Sequence, residues 1–233
     1  FQAAFTLYRI HDLAPKYPEW KEKQPFKAAL ENDQQYLANL SVNELLEMVM
    51  VTHVGMTQTE FEKEANQFLN NAKHPRFQKL YKEIIYQPML ELLAYLKANS
   101  FTNYICSGGG LDFIRFFSEE AYNIPPENVI GSNILKEFKL TDQGSEFIRQ
   151  PKLLQPINDK DGKPVNIERF IGKKPLIAVG NSDGDIEMME YTVAGNNNSL
   201  ALLIHHDDSK REYSYTKGTE KALELAKKYN WQV

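Results

Sequence analysis

Through the first third of the chain, apolar residues recur at helical spacing and there is almost no strand signal. Phe61, Ala65, Phe68 and Leu69 fall on one helical face, and Thr57 with Glu60 places a hydroxyl three residues ahead of a carboxylate at its start, a capping box. Ser41 with Glu44 repeats the device ahead of Leu45, Leu46, Val49 and Met50. Residues 1–13 also have a helical pattern, and Pro15, Pro18 and Pro25 punctuate the connection that follows, where a fixed φ and a missing N–H are tolerated. The pattern predicts an all-helical unit over residues 1–86.

Beyond it the pattern switches to alternating strand and helix, which predicts a parallel sheet covered by helices. Pro88 opens a helix running to Ala98, with Met89, Leu92, Leu93 and Leu96 as its apolar face. A strand over 103–106 leads into Ser107-Gly108-Gly109-Gly110 and then a helix over 111–122. A short strand is expected at 129–131, and a hairpin arm over 134–140 turning at Thr141-Asp142-Gln143-Gly144. A turn at 158–162 precedes a helix over 165–171. The apolar strand 175–179 ends in Gly180-Asn181-Ser182-Asp183-Gly184-Asp185, and a helix runs on to Tyr191. A strand at 200–204 and a helix at 217–229 close an α/β region spanning 87–233.

Composition narrows the class. In 233 residues, 27 Lys and Arg stand against 31 Asp and Glu, a net charge of −4, which is no signature of nucleic-acid binding. Hydrophobic residues at 42% and charged residues at 25% exclude disorder, a collagen repeat and a disulfide scaffold. Cys106 is the single cysteine and cannot form an intrachain bridge. The longest apolar runs fall far short of the roughly 20 residues that span a bilayer.

Three segments can carry chemistry. Ser107 to Gly110 follows a strand and precedes a helix, so glycines, backbone N–H groups and a hydroxyl could seat an anion there; a tight turn with no ligand is the competing reading. A nucleophile elbow needs glycine two residues before the serine, where Ile105 stands, and Cys106 ends an apolar strand like a small core residue. The second segment, Gly180 to Asp185, lies at the carboxyl end of the most apolar strand, where open α/β sheets bind ligands. Its two carboxylates and one amide suit a hard cation such as Mg²⁺; an Asx-rich helix cap is the competing reading. The third is Lys163, which taken alone is an ordinary solvated lysine. Adjacent His205 and His206 lack metal-ligand spacing, and His53 fits packing better than catalysis.

Taken together and in order, these segments resemble the haloacid dehalogenase-like (HAD) hydrolase superfamily, within it the phosphoserine-phosphatase-like branch. The resemblance covers the chain from about Tyr86 onward and implies an α/β fold. That fold is a Rossmann-like parallel sheet with helices on both faces, joined to an inserted all-helical cap over 1–86 that closes on the substrate. Residues 103–108 look like the second motif, whose hydroxyl (Ser107) and following N–H (Gly108) hold phosphoryl oxygens. Lys163 looks like the third-motif lysine that offsets charge on the phosphoryl group. Ala178 to Met188, reading AVGNSDGDIEM, is similar to the Mg²⁺-binding fourth motif, with Asn181 where an acid is usual, Asp185 matching the second acid and Asp183 as a supplement.

The first motif, with its Asp nucleophile and Asp acid/base, is absent. Asp159-Lys160-Asp161 mimics it but stands in the wrong place. The chain opens on Phe1, so the expectation is an N-terminally incomplete copy of a Mg²⁺-dependent phosphatase acting on a small phosphomonoester through an aspartyl-phosphate. The alternatives are an inactive ligand- or protein-binding module of the same fold and, behind it, a serine or cysteine hydrolase using Ser107 or Cys106. A small phosphorylated metabolite is the expected partner. Tyr8, Arg9, His53 and Arg76 could face it equally well as they could serve packing or the surface. Physiological substrate, compartment and oligomeric state stay open.

Overall fold

The computed structural model describes residues 1–142, 144–195, 197–210 and 214–233, so the Gln143 position of the expected hairpin turn lies outside the described residues. The chain divides into two compact units. One comprises Phe1–Asn103, Asp112–Glu127 and Asn133–Leu153; the other comprises Tyr104–Leu111, Asn128–Ser132 and Leu154–Val233. The helical unit therefore carries more than the first 86 residues.

That unit contains α1 (Gln2–Leu13), α2 (Phe26–Glu31), α3 (Gln34–Leu37), α4 (Val42–His53), α5 (Gln58–Asn71) and α6 (Gln87–Ala98). Both capping boxes form: Ser41 and Glu44 close α4, Thr57 and Glu60 close α5, each satisfying N–H groups that a helix start leaves unpaired. The apolar face expected of α5 is the buried one, Phe61, Ala65, Phe68 and Leu69. Phe5 of α1 stacks on Phe113 at 5.1 Å and meets Phe68 at 5.4 Å, building an aromatic core. A second cluster joins Ile10, Trp20, Phe26, Ala29 and Met48.

The helix expected over 111–122 is two pieces, α7 (Leu111–Arg115) and α8 (Ser118–Tyr122). Phe116 packs on Phe61 (5.9 Å between ring centres) and Phe117 on Phe1 (5.7 Å). A continuous helix turns adjacent side chains about 100° apart, so a break lets both rings pack. The unit also holds the antiparallel hairpin of β3 (Ile134–Thr141) and β4 (Gly144–Leu153), paired from Lys136↔Arg149 to Thr141↔Gly144.

The second unit is mixed α/β with parallel strand pairs. β1 (Ile105–Gly110) pairs with β2 (Val129–Ser132), and β5 (Ile177–Gly180) with β6 (Leu200–Leu203). No strand pairing joins the two pairs among the described residues. They nevertheless share one core: Ile130, Ala178, Ala201 and Leu203 from the strands meet Ile167 of α9 (Gly162–Ile171), Met189 of α10 (Ile186–Val193) and Ala222 of α11 (Glu220–Tyr229), with Cys106 packed against them.

One local expectation is corrected. Ser107 to Gly110 is not a loop after the strand but the last four residues of β1, paired to β2 at Ser107↔Gly131 and, after a register break, at Gly110↔Ser132. Gly131 explains the extension: a Cβ there would lie 2.9 Å from Gly109 O and 2.8 Å from Leu111 Cα, so only glycine admits so close an approach.

Candidate functional site

Lys163 and Asp185 are separated by 22 residues and meet inside the α/β unit. Lys163 lies in the first turn of α9, and its Nζ donates to Asp185 Oδ1 and to the Cys106 carbonyl of β1, each at 2.7 Å. Both side chains are nearly sealed, at 6% and 9% exposure, so the ammonium is held by fixed acceptors rather than water. Taken alone this lysine reads as an ordinary solvated one, and its order between the two loops nominates it; the structure buries it and pairs it with Asp185.

The loop after β5 is wrapped around Asp185. Oδ2 accepts from the Asn181 N–H (3.0 Å), the Ser182 N–H (3.1 Å) and the Ser182 hydroxyl (3.1 Å). Gly180 permits this, because a Cβ there would stand 2.6 Å from the Asp185 Cβ. With the lysine on Oδ1, the carboxylate uses all of its roughly four acceptor positions within the protein.

The other members of the loop have separate duties. Asp183 Oδ1 accepts the Ala222 N–H at 2.8 Å and so caps α11, where the positive end of the helix favours a carboxylate. The side chain of Asn181 is exposed and has no hydrogen-bond partner among the described residues. Asn181, Asp183 and Asp185 thus share one loop but do not converge as a preformed cage. Among the described residues, no group of three or more His, Cys, Asp or Glu could hold a metal.

On the β1 side, Ser107 Oγ accepts the Gly109 N–H at 3.1 Å, and the Ser132 hydroxyl donates to Gly108 O at 2.8 Å. Asn158 joins these strands to the lysine helix. Wholly buried, it donates through Nδ2 to Ser107 O at 2.8 Å and accepts on Oδ1 from Asn166 Nδ2 at 3.1 Å, while its N–H donates to Ser132 Oγ at 3.2 Å. Sequence reasoning saw only a turn here. The one available signal was an Asn-Asp pair directly ahead of the lysine helix.

The geometry does not support a thiol or serine hydrolase. Burial pushes the Cys106 thiol up, against the opposing pull of Lys163 and of the Asn158 hydrogen bond, so the thiolate is disfavoured. No histidine is hydrogen-bonded to Ser107 among the described residues. In the helical unit, two of the candidate substrate-facing residues are internal. Arg9 pairs with Asp12 (2.7 Å) and Glu64 (2.6 Å), and His53 is 1% exposed between Phe5 and Phe61. Tyr8 packs on Phe68.

No protein-family model matches the chain, and no curated protein matches it in sequence. Among solved structures, a phosphoserine phosphohydrolase-like protein from Francisella tularensis subsp. tularensis SCHU S4 is similar over 94% of this chain and 91% of its own, at 15% identity and a TM-score of 0.45. A likeness at that level assigns neither a family nor a residue. No helix among the described residues is long and apolar enough to cross a membrane.

Proposed function

We propose that the protein is a phosphatase that releases phosphate from a small phosphomonoester. The observation that carries the reading is the meeting of three separated segments at the carboxyl ends of parallel strands: the Ser-Gly run of β1, the buried ammonium of Lys163, and the loop folded over Asp185. A hydroxyl, a glycine N–H and a fixed cation are what a transferring phosphoryl group requires, because its chemistry rests on positioning and charge compensation.

In this reading Ser107 Oγ and the Gly108 N–H bind phosphoryl oxygens, and Lys163 offsets the charge that grows as the ester bond breaks. Two fixed acceptors hold Lys163 in place, so little reorganisation accompanies the reaction. A divalent cation, Mg²⁺, would neutralise further phosphoryl charge when bound. Such an ion keeps several waters and takes few protein oxygens, and the exposed side chain of Asn181 would be the one in this loop with an oxygen to offer it. Asp185 holds Lys163 and the loop in place.

The attacking group is a carboxylate that forms an aspartyl-phosphate later hydrolysed by water.

The test is phosphate release from alkyl and aryl phosphomonoesters, with and without Mg²⁺. Turnover that requires the cation and falls sharply in Lys163→Ala supports the reading. Binding of phosphate or an ester without turnover would replace it with a ligand-binding module.

A further inference from the structure

The hairpin of β3 and β4 has two edges, and the helical unit occupies only one of them. On the β4 side, the Arg149 N–H donates to Met56 O at 3.0 Å and its carbonyl accepts from the Gly55 N–H at 2.9 Å, so both backbone groups of Arg149 turn away from β3. Pairs in an antiparallel ladder alternate between those that exchange hydrogen bonds and those that do not. Arg149 and its partner Lys136 are of the second kind, and by alternation so are Phe138, opposite Phe147, and Leu140, opposite Ser145. The N–H and C=O groups of Lys136, Phe138 and Leu140 therefore point outward from the far edge of β3. No strand or bridge meets that edge among the described residues.

The side chains beside it are unlike those of a guarded edge. Phe138 and Phe147 pack ring on ring at 5.7 Å while about half exposed, at 55% and 48%, and Leu140 on the same face is 79% exposed. On the opposite face Glu137 and Lys139 stand next to each other, 3.6 Å apart and exposed. An open edge with an apolar face is a template for another strand. Charges of a single sign would repel a second copy of the same strand; charges of both signs select how it docks.

In an antiparallel pairing of β3 with β3 of a second copy, the position of the two-fold axis decides which side chains meet. An axis at Lys136, Glu137 or Lys139 sets that residue against its own copy, like charge on like charge. An axis at Leu140 runs most of the strand past the hairpin turn. An axis at Phe138 places Glu137 opposite the second copy's Lys139, and Lys139 opposite its Glu137. It also brings the outward backbone groups of Phe138 together, and those of Lys136 against those of Leu140, with the phenylalanine pairs of both copies side by side on one face.

We propose that β3 is a homodimer contact, at which two copies of the chain join their hairpins edge to edge about Phe138 into one antiparallel sheet of four strands. Assembly closes at two copies, because residues 55–57 already pair with Ile148 and Arg149 on the other edge of the hairpin. The contact is independent of the chemistry of the α/β unit.

The experiment is sedimentation velocity of the purified chain over a range of concentrations at low salt. The wild type should pass from 26.9 kDa to twice that mass as concentration rises. Glu137→Lys and Lys139→Glu each set like charges across the axis, and each should weaken dimerisation at least about 10-fold. Mixed in equal amounts, the two single variants should form heterodimers as the wild type forms homodimers, because the lysines of one then face the glutamates of the other. The double variant, which exchanges the two charges, should dimerise again. The mixture keeps the test separate from hairpin stability, since a variant whose hairpin had unravelled would not be rescued by its counterpart.

Wild-type protein that stays monomeric at every concentration would overturn the proposal. So would assemblies that grow beyond two copies, single variants that dimerise like the wild type, or a mixture that stays monomeric.

Discussion

Each of the two units buries an ionic network, and the two networks end differently. In the helical unit Asp112 accepts from Lys136 and from Arg149, both at 2.6 Å, and Arg149 continues to Gln58 Oε1 (2.8 Å) and His53 O (2.9 Å) while its guanidinium lies 3.8 Å from the centre of the Phe61 ring. This network closes on itself and fastens the hairpin to the helices. In the α/β unit Lys163 and Asp185 are as deeply buried, yet the segments that hold them also carry two oxygen-bearing side chains, Asp159 and Asn181, without partners among the described residues. Buried charge alone does not mark a site. A site is where fixed charge adjoins groups with capacity to spare.

The sharpest way to break this comparison is to remove one partner from each network. Lys163→Ala should lower kcat at least about 100-fold. It also leaves Asp185 charged and unpaired, at a cost of about 3–5 kcal/mol in denaturant unfolding. Adding Asp185→Ala should recover part of that stability and none of the activity, so the double variant separates the two roles. Asp112→Ala should cost a similar amount of stability by stranding Arg149, yet leave phosphate release per folded molecule unchanged. A large loss of turnover there would mean that the closed network also serves the chemistry.

A smaller effect comes from His53. Burial, followed by the nearby Arg149 and Arg9 charges, lowers its pKa from 6.5 to about 3. The unfolded chain therefore binds a proton between these values that the folded protein refuses. The contribution is fully present above pH 6.5 and is lost as pH falls towards 3, amounting to about 2 kcal/mol by pH 5. Urea unfolding at pH 7.5 and pH 5 should show this loss in the wild type, and His53→Gln should reduce it. An identical pH dependence in the variant would show that His53 is not buried in its neutral form. The smallest expected change is Thr57→Ala, about 1 kcal/mol from the lost cap of α5, with no effect on phosphate release.

Local signals account for what was legible in the chain. The capping boxes, the apolar face of α5, the strand expected at 175–179 and found at 177–180, and the switch from helices to a parallel α/β pattern all depend on residues a few positions apart. The helix at 111–122 was misread because the demand that splits it comes from Phe61 and Phe1, distant in sequence. The glycine run after Cys106 continues as strand because of Gly131, more than twenty residues away.

The site shows the same division. Ser107, Gly108, Lys163, Asn181, Asp183 and Asp185 could be nominated from residue type and order, because chemistry needs particular functional groups and short motifs record them. What each group is free to do could not be nominated. Asp183 and Asp185 look alike as letters, yet one caps a helix 39 residues away and the other neutralises a buried lysine. Asp159, set aside in the sequence, keeps its valence open. The sequence by itself determined which elements form and which functional groups are present, since both follow from local pattern and composition. Only the tertiary structure decided which of those groups are already paired, because burial, desolvation and hydrogen bonding arise between segments that the chain keeps far apart.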